Sequence, residues 1–240
     1  MKAVGIIQAR MGSQRLPGKS MMDIEGKPLL EHVIERVKLC KTLDIVVLAV
    51  TNKKEDIPLI ELAKKHNVEH ITGITGDVLD EFDKASKKYK ADIVVRICAD
   101  NPLIDPYEID KLVYYHLREN ADYSSNNRVH INSLPDGSGA EVINANILSN
   151  INEIANKPYY REHVTTYLYD NTEKYHMKML DADPELRRPQ YRLDVDYQED
   201  LDFIREVYSE LYKNGEIIRT IDIIRLLDSN PDLCKMRKKR

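Results

Sequence analysis

Val4-Gly5-Ile6-Ile7-Gln8-Ala9-Arg10-Met11-Gly12-Ser13-Gln14-Arg15-Leu16-Pro17-Gly18-Lys19 carries a short apolar run straight into a loop of three cations and two glycines. Val4 to Ile7 is too short and too β-branched for a helix, so it reads as a buried parallel strand. In the loop, Gly12 and Gly18 let backbone N–H groups turn toward an anion, while Arg10, Arg15 and Lys19 supply charged donors. The arrangement suits a polyphosphate. The plainer alternative, a solvated basic turn, is disfavoured by its place directly after the first strand of an α/β pattern.

Two familiar phosphate loops are excluded. Five residues separate Gly12 from Gly18, where a P-loop has four, and Pro17 lies among them. A P-loop also opens a long helix at its lysine, whereas Gly26 and Pro28 interrupt this one early. The Gly-x-Gly start of a dinucleotide fingerprint is missing as well.

At 240 residues, with 42% hydrophobic and 32% charged content, the chain suffices for a single large α/β domain with an ample core. A net charge of −4 gives no general attraction to nucleic acid or anionic lipid, so its cations must act locally. Cys40, Cys98 and Cys234 form no metal or redox spacing and read as thiols of a reducing cytoplasm. No apolar run approaches membrane-spanning length, and Met1-Lys2-Ala3 leads into a strand rather than a signal peptide, so a cytoplasmic location is expected.

Strand and helix then alternate. Pro28 starts a helix striped by Leu29, Leu30, Val33 and Val37, and Ile45 to Val50 is a second strand. Asp56 to Lys65 is helical, Val68 to Ile71 extended, Asp77 caps a helix to Lys88, and Ile93 to Ile97 is a further β-branched strand. This predicts a parallel sheet with right-handed crossovers. The basic end from Lys235 to Arg240 is expected to fray.

Asp100 follows the last of those strands, where open α/β sheets bind ligands, and can reach a metal on nucleotide phosphates. It can equally be a turn residue ahead of Pro102. Farther on, Tyr191-Arg192-Leu193-Asp194-Val195-Asp196-Tyr197 alternates with period two, which puts Asp194 and Asp196 on one face of a short strand. A divalent metal between such acids relieves their repulsion; an edge strand showing its polar face to water, with Asp200 capping a helix from Leu201 to Leu211, is the other reading.

The stretch from Ile6 to Lys19 resembles the amino-terminal signature of the cytidylyltransferases that activate acidic sugars, among them the acylneuraminate and 3-deoxy-manno-octulosonate enzymes. Its Gln-Ala-Arg-Met-Gly-Ser form is most similar to the spore coat polysaccharide branch. Asp77 to Asp80, Arg96 to Pro106, Pro135-Asp136-Gly137 with Glu141-Val142, Arg161 to Thr165, and Arg192 to Leu201 follow in that branch's order.

The resemblance implies a Rossmann-like, mostly parallel sheet sandwiched by helices, of the nucleotide-diphospho-sugar transferase type. A smaller acceptor and dimerisation lobe is expected at about Asp122 to Tyr175, within a single domain that forms a homodimer. It further implies transfer of CMP from CTP to an acidic sugar or phosphorylated acceptor, with release of pyrophosphate, for surface polysaccharide synthesis. Ala9, Arg10, Gly12, Ser13, Arg15, Lys19, Asp77 and Arg96 would bind the nucleotide, with Arg10, Lys19, Asp100 and Asp196 catalytic. Asp100, Asp194 and Asp196 would hold Mg²⁺. Glu141, Arg161 and His163 would meet the acceptor, although Arg161 and Glu162 can also salt-bridge a helix start and His163 can be a half-buried spacer.

Three places depart from the branch. Thr72 and Glu81 stand where it shows arginines, both bordering the nucleotide, and Ser138-Gly139-Ala140 replaces bulkier residues before Glu141. Two rivals stay open: a P-loop-like phosphotransferase, which would release ADP and orthophosphate or transfer a phosphoryl group, and a non-catalytic nucleotide-sugar binding protein, which would bind with little dependence on Mg²⁺.

Overall fold

The computed structural model describes residues 1–127, 133–213 and 216–237. Its first strand, β1 (Ala3–Gln8), is buried on both faces, as the apolar run predicts. A two-residue hairpin, β2 (Asp23–Ile24) and β3 (Lys27–Pro28), follows the cationic loop and delivers the chain to helix α1 (Leu29–Val37). β4 (Ile45–Thr51), α2 (Ile57–Lys65), β5 (Glu69–Gly73), α3 (Val78–Tyr89) and β6 (Ile93–Cys98) then alternate within a residue or two of the expected bounds. Asp77 caps α3 by accepting from the Asp80 N–H at 3.3 Å.

β1 pairs in parallel with both β4 and β6, and β4 in parallel with β5. After α4 (Pro106–Arg118) come β7 (Tyr123–Ser125), β8 (Glu141–Asn144) and helices α5 (Ala145–Ile154), α6 (Pro158–Glu162) and α7 (Thr166–Tyr169). β9 (Met177–Met179), α8 (Gln198–Leu211), α9 (Thr220–Ser229) and α10 (Pro231–Cys234) complete the chain. Among the described residues the main sheet has seven strands in the order β5-β4-β1-β6-β8-β7-β9.

Alternation along the strands feeds two cores, one on each face. Val4 and Ile6 of β1 pack with Val47, Val94, Leu79, Phe82 and Leu148. Ala3 and Ile7 point the other way, to Leu30, Val33, Leu59, Leu112 and Ile204. The sheet is thus sandwiched by helices.

The segment from Asp122 to Tyr175, where a smaller lobe is expected, contributes to the main sheet. It places β7 and β8 in the main sheet, β8 antiparallel to β6, and packs α5 and α6 on α3. Residues 191–197 are extended but form no strand; Arg192 makes one isolated bridge, to Asp136. At the basic end, Arg237 docks instead of fraying, while residues 238–240 lie outside the described residues. Among the described residues no helix is long and apolar enough to cross a membrane.

Candidate active site

From β1 the chain moves outward to β4 and β5, then returns to place β6 on the other side of β1. The order therefore reverses between β1 and β6, the point at which open α/β sheets bind ligands beyond their carboxyl ends. The loop after β1 and Asp100 after β6 both lie there.

Buried chemistry fixes the loop. Asp56, fully shielded from solvent, accepts from the Met11 N–H at 2.7 Å and from the Thr51 N–H at 3.0 Å. The Gly18 N–H donates to the Met11 carbonyl at 2.9 Å, which closes the bend. Gly18 itself sits at φ +75°, a conformation that favours glycine, and the next residue, Lys19, enters a three-residue 3₁₀ turn. No long helix opens at Lys19, which sets the loop apart from a P-loop.

Lys19 is 9% exposed, and its ammonium reaches three oxygens: Asp100 Oδ2 at 2.8 Å, Asp196 Oδ1 at 3.2 Å and the Val195 carbonyl at 2.6 Å. Burial alone would weaken the charge, but Asp100 and Asp196 outweigh it and hold the ammonium above its ordinary basicity. Arg15 pairs with Asp196 at 2.8 Å, and Arg10 with Glu162 at 3.2 Å. All three cations of the loop thus meet an acid.

A cavity of about 520 Å³ opens over this cluster, lined by Ala9, Arg10, Ser13, Arg15, Lys19, Arg96, Asp100 and Asp196. Gly12 is exposed at the outside of the bend, beside Glu55, and is not a lining residue. Asp77 likewise lies off the cavity, capping α3 and receiving Arg161.

A second cavity, about 570 Å³, shares Arg15, Arg96, Asp100 and Asp196 with the first. Glu141, His163 and Asp194 line it, with hydroxyls from Thr165, Thr166 and Tyr169. Glu141 is buried and accepts from Arg96, from the Tyr123 hydroxyl and, at 3.0 Å, from Thr165 Oγ1. Burial would raise its carboxyl, yet Arg96 and these donors win and hold it below the usual range.

Two expected roles meet a different geometry. Asp194 does not join Asp100 and Asp196 around one point: it is held by Arg192 at 2.6 Å and by Arg237 at 3.2 Å. The converging carboxylates are therefore a pair rather than a triad. Arg161 turns away from both cavities; its guanidinium donates to Asp77 at 2.8 Å and to the carbonyl and side chain of Asn152 at 2.8 and 2.7 Å. His163 sits exposed at the break between α6 and α7, its ring 5.0 Å from that of Tyr159.

Sequence reasoning passed over Asp56, which reads as an ordinary helix start, and Glu162, the partner of Arg10. It had no signal for Arg237. Glu81, noted there only as a departure, lines the first cavity at 3% exposure. Burial, then the charges of Asp77, Asp56 and Asp80, push its carboxyl up to about 8.

A cytidylyltransferase family profile matches residues 4–220. An uncharacterized protein of Methanocaldococcus jannaschii is 38% identical over 235 residues, covering 97% of this chain and 93% of its own. The spore coat polysaccharide biosynthesis protein SpsF of Bacillus subtilis is 34% identical over 238 residues, covering 97% of both chains. A solved cytidylyltransferase from Leptospira borgpetersenii superposes with a TM-score of 0.92 at 29% identity, covering 100% of this chain and 99% of that one.

Proposed function

The chain belongs to the cytidylyltransferase family, and we propose that it transfers CMP from CTP to an acidic sugar, or to a phosphorylated acceptor, for surface polysaccharide synthesis. The observation that carries this reading is the reach of Lys19 to both Asp100 and Asp196, which ties the cationic loop and two distant acids to one point. Polyphosphate chemistry needs that meeting of charges at the reacting centre.

In this reading Arg10, Ser13, Arg15 and Lys19 exchange their present partners for the triphosphate. The acceptor oxygen, seated in the second cavity, attacks the α-phosphorus. A bond forms from that oxygen to phosphorus, the bond to the bridging oxygen breaks, and pyrophosphate leaves with the electron pair. His163, on the acceptor wall, takes the hydroxyl proton. The hydroxyls of Thr165, Thr166 and Tyr169 suit a polyhydroxylated acceptor, and Arg15, shared by both cavities, suits its carboxylate or phosphate.

Asp100 and Asp196 offer hard carboxylate oxygens at one place, a donor set that fits Mg²⁺. Bound there, the cation would offset charge developing on the phosphates. The free thiols of Cys40, Cys98 and Cys234 support a cytoplasmic setting, and a homodimer belongs to the same reading.

The test is to incubate the protein with each nucleoside triphosphate, Mg²⁺ and a panel of ulosonic acids and sugar phosphates, and to measure pyrophosphate. CTP-specific release that depends on one acceptor class is expected. Release unchanged in Asp196→Asn would sink the mechanism.

A further inference from the structure

Three residues that line the first cavity each carry a buried polar atom with no hydrogen-bond partner among the described residues: Gln8 Oε1, Glu81 Oε1 and Arg96 Nε. A buried polar atom left unpaired is costly, so three of them on residues lining one cavity point to a ligand that completes them. Glu81 is held there by the backbone. It packs so tightly on Gly73, the last residue of β5, that a Cβ at Gly73 would come within 2.0 Å of Glu81 Cγ.

β5 lies three strands from β6, after which Asp100 follows. At ~4.8 Å per strand, the end of β5 on which Glu81 packs lies roughly 14 Å across the sheet from the end of β6. An extended nucleoside triphosphate bridges that separation. With its phosphates at Lys19, its base falls beside Glu81, and the neighbouring Val78 offers apolar surface to the ring face.

We propose that Glu81 reads the base, holding a proton so that its carboxyl presents a donor and an acceptor side by side to the N3 and N4 edge of cytosine. This rests on the reading of the cavity as a CTP site. The hydroxyl donates to N3 and the carbonyl oxygen accepts from the N4 amino group. An ionised carboxylate, acceptor at both oxygens, leaves N3 facing negative charge and instead suits guanine, whose edge offers two adjacent donors.

The surroundings favour the proton. Asp77 and Asp80 flank Glu81 on its own helix and cap, and Asp56 faces it from ahead of α2. Against these stands Lys84, which pairs with Asp80. Arg161 is committed to Asp77, and the cations of the loop, Arg10, Arg15 and Lys19, line the same cavity but are paired with Glu162, Asp196 and Asp100. The carboxyl, pushed up to about 8, carries its proton at neutral pH.

The experiment is calorimetric titration of the full chain with CTP and with GTP, from pH 7 to pH 9, for the wild type, Glu81→Gln and Glu81→Ala. Because only the protonated form is competent, CTP affinity of the wild type falls about tenfold across that range, with uptake of about one proton at pH 9. Glu81→Gln, whose amide keeps one donor and one acceptor, binds CTP without that slope. Glu81→Ala loses most of the preference for CTP over GTP. A slope shared by the wild type and Glu81→Gln, or a preference intact in Glu81→Ala, overturns the assignment of Glu81. A wild type that binds no CTP at any pH overturns the reading of the cavity and this inference with it.

Discussion

The ammonium of Lys19 donates to the carboxylate of Asp100 across 2.8 Å, although Asp100 lies 81 positions farther along the chain. β1 and β6 are neighbours in the sheet, so the loop that leaves one and the turn that leaves the other must meet. At that meeting Lys19 brings a compact charge that three oxygens share. Lys19→Met is expected to lower pyrophosphate release by on the order of 10²- to 10³-fold, the loss typical of one pre-aimed donor. Lys19→Arg should recover little, because a planar fork does not reproduce three bonds converging on one atom. Initial rates at saturating CTP decide this.

Asp194 and Asp196 are two positions apart yet carry different loads. Asp196 joins Lys19 and Arg15, whereas Asp194 joins Arg192 and Arg237. Asp196→Asn should abolish most activity and weaken the dependence on Mg²⁺. Asp194→Asn should chiefly lower the melting temperature, since it strips one partner from Arg237, a guanidinium only 9% exposed. That loss amounts to about 1–3 kcal/mol. Thermal melts and Mg²⁺ titrations of the two variants separate the effects.

Arg161 acts as a clamp between α3 and α5. Its bonds to Asp77 and Asn152 join the cap of one helix to the body of the other. Arg161→Ala is therefore expected to destabilise the fold by about 1–3 kcal/mol and to leave the KM for the acceptor near that of the wild type. A selective rise in that KM, with the melting temperature unchanged, would return Arg161 to the acceptor.

What the sequence made legible follows from burial. Val4 to Ile7 is buried on both sides, and α1 and α3 turn continuous stripes to the core, so composition and period identify them. Residues 191–197 mislead for a related reason: Leu193 and Val195 are fully buried, which creates the alternation of a strand without a ladder. The alternation still places Asp194 and Asp196 on the wall of one cavity. β7 and β8, at three and four residues, are too short for any period to show, so their entry into the sheet was illegible. Arg161 and Arg237 were illegible because their partners lie on other elements, and a pairing of that kind leaves no local pattern.

Glu141 and Glu81, both buried, should give stability opposite dependences on pH. Glu141 is held below 4.5 by Arg96 and its hydroxyl donors in spite of burial. Its contribution is present above the unfolded value and is lost as pH falls below about 4.5, through the lower folded value. Glu81 runs the other way. With a folded value of about 8 against 4.5 for the free side chain, the folded state holds a proton that the unfolded chain releases between those limits. Stability therefore falls as pH rises from 4.5 to about 8, by at most about 1.4 kcal/mol for each pH unit. Denaturant melts should show Glu141→Gln with a flattened acid limb and Glu81→Gln with a flattened descent from pH 4.5 to about 8. A descent unchanged by Glu81→Gln would mean that the buried carboxyl is already ionised at neutral pH, and the proton on which its reading of cytosine rests would be absent.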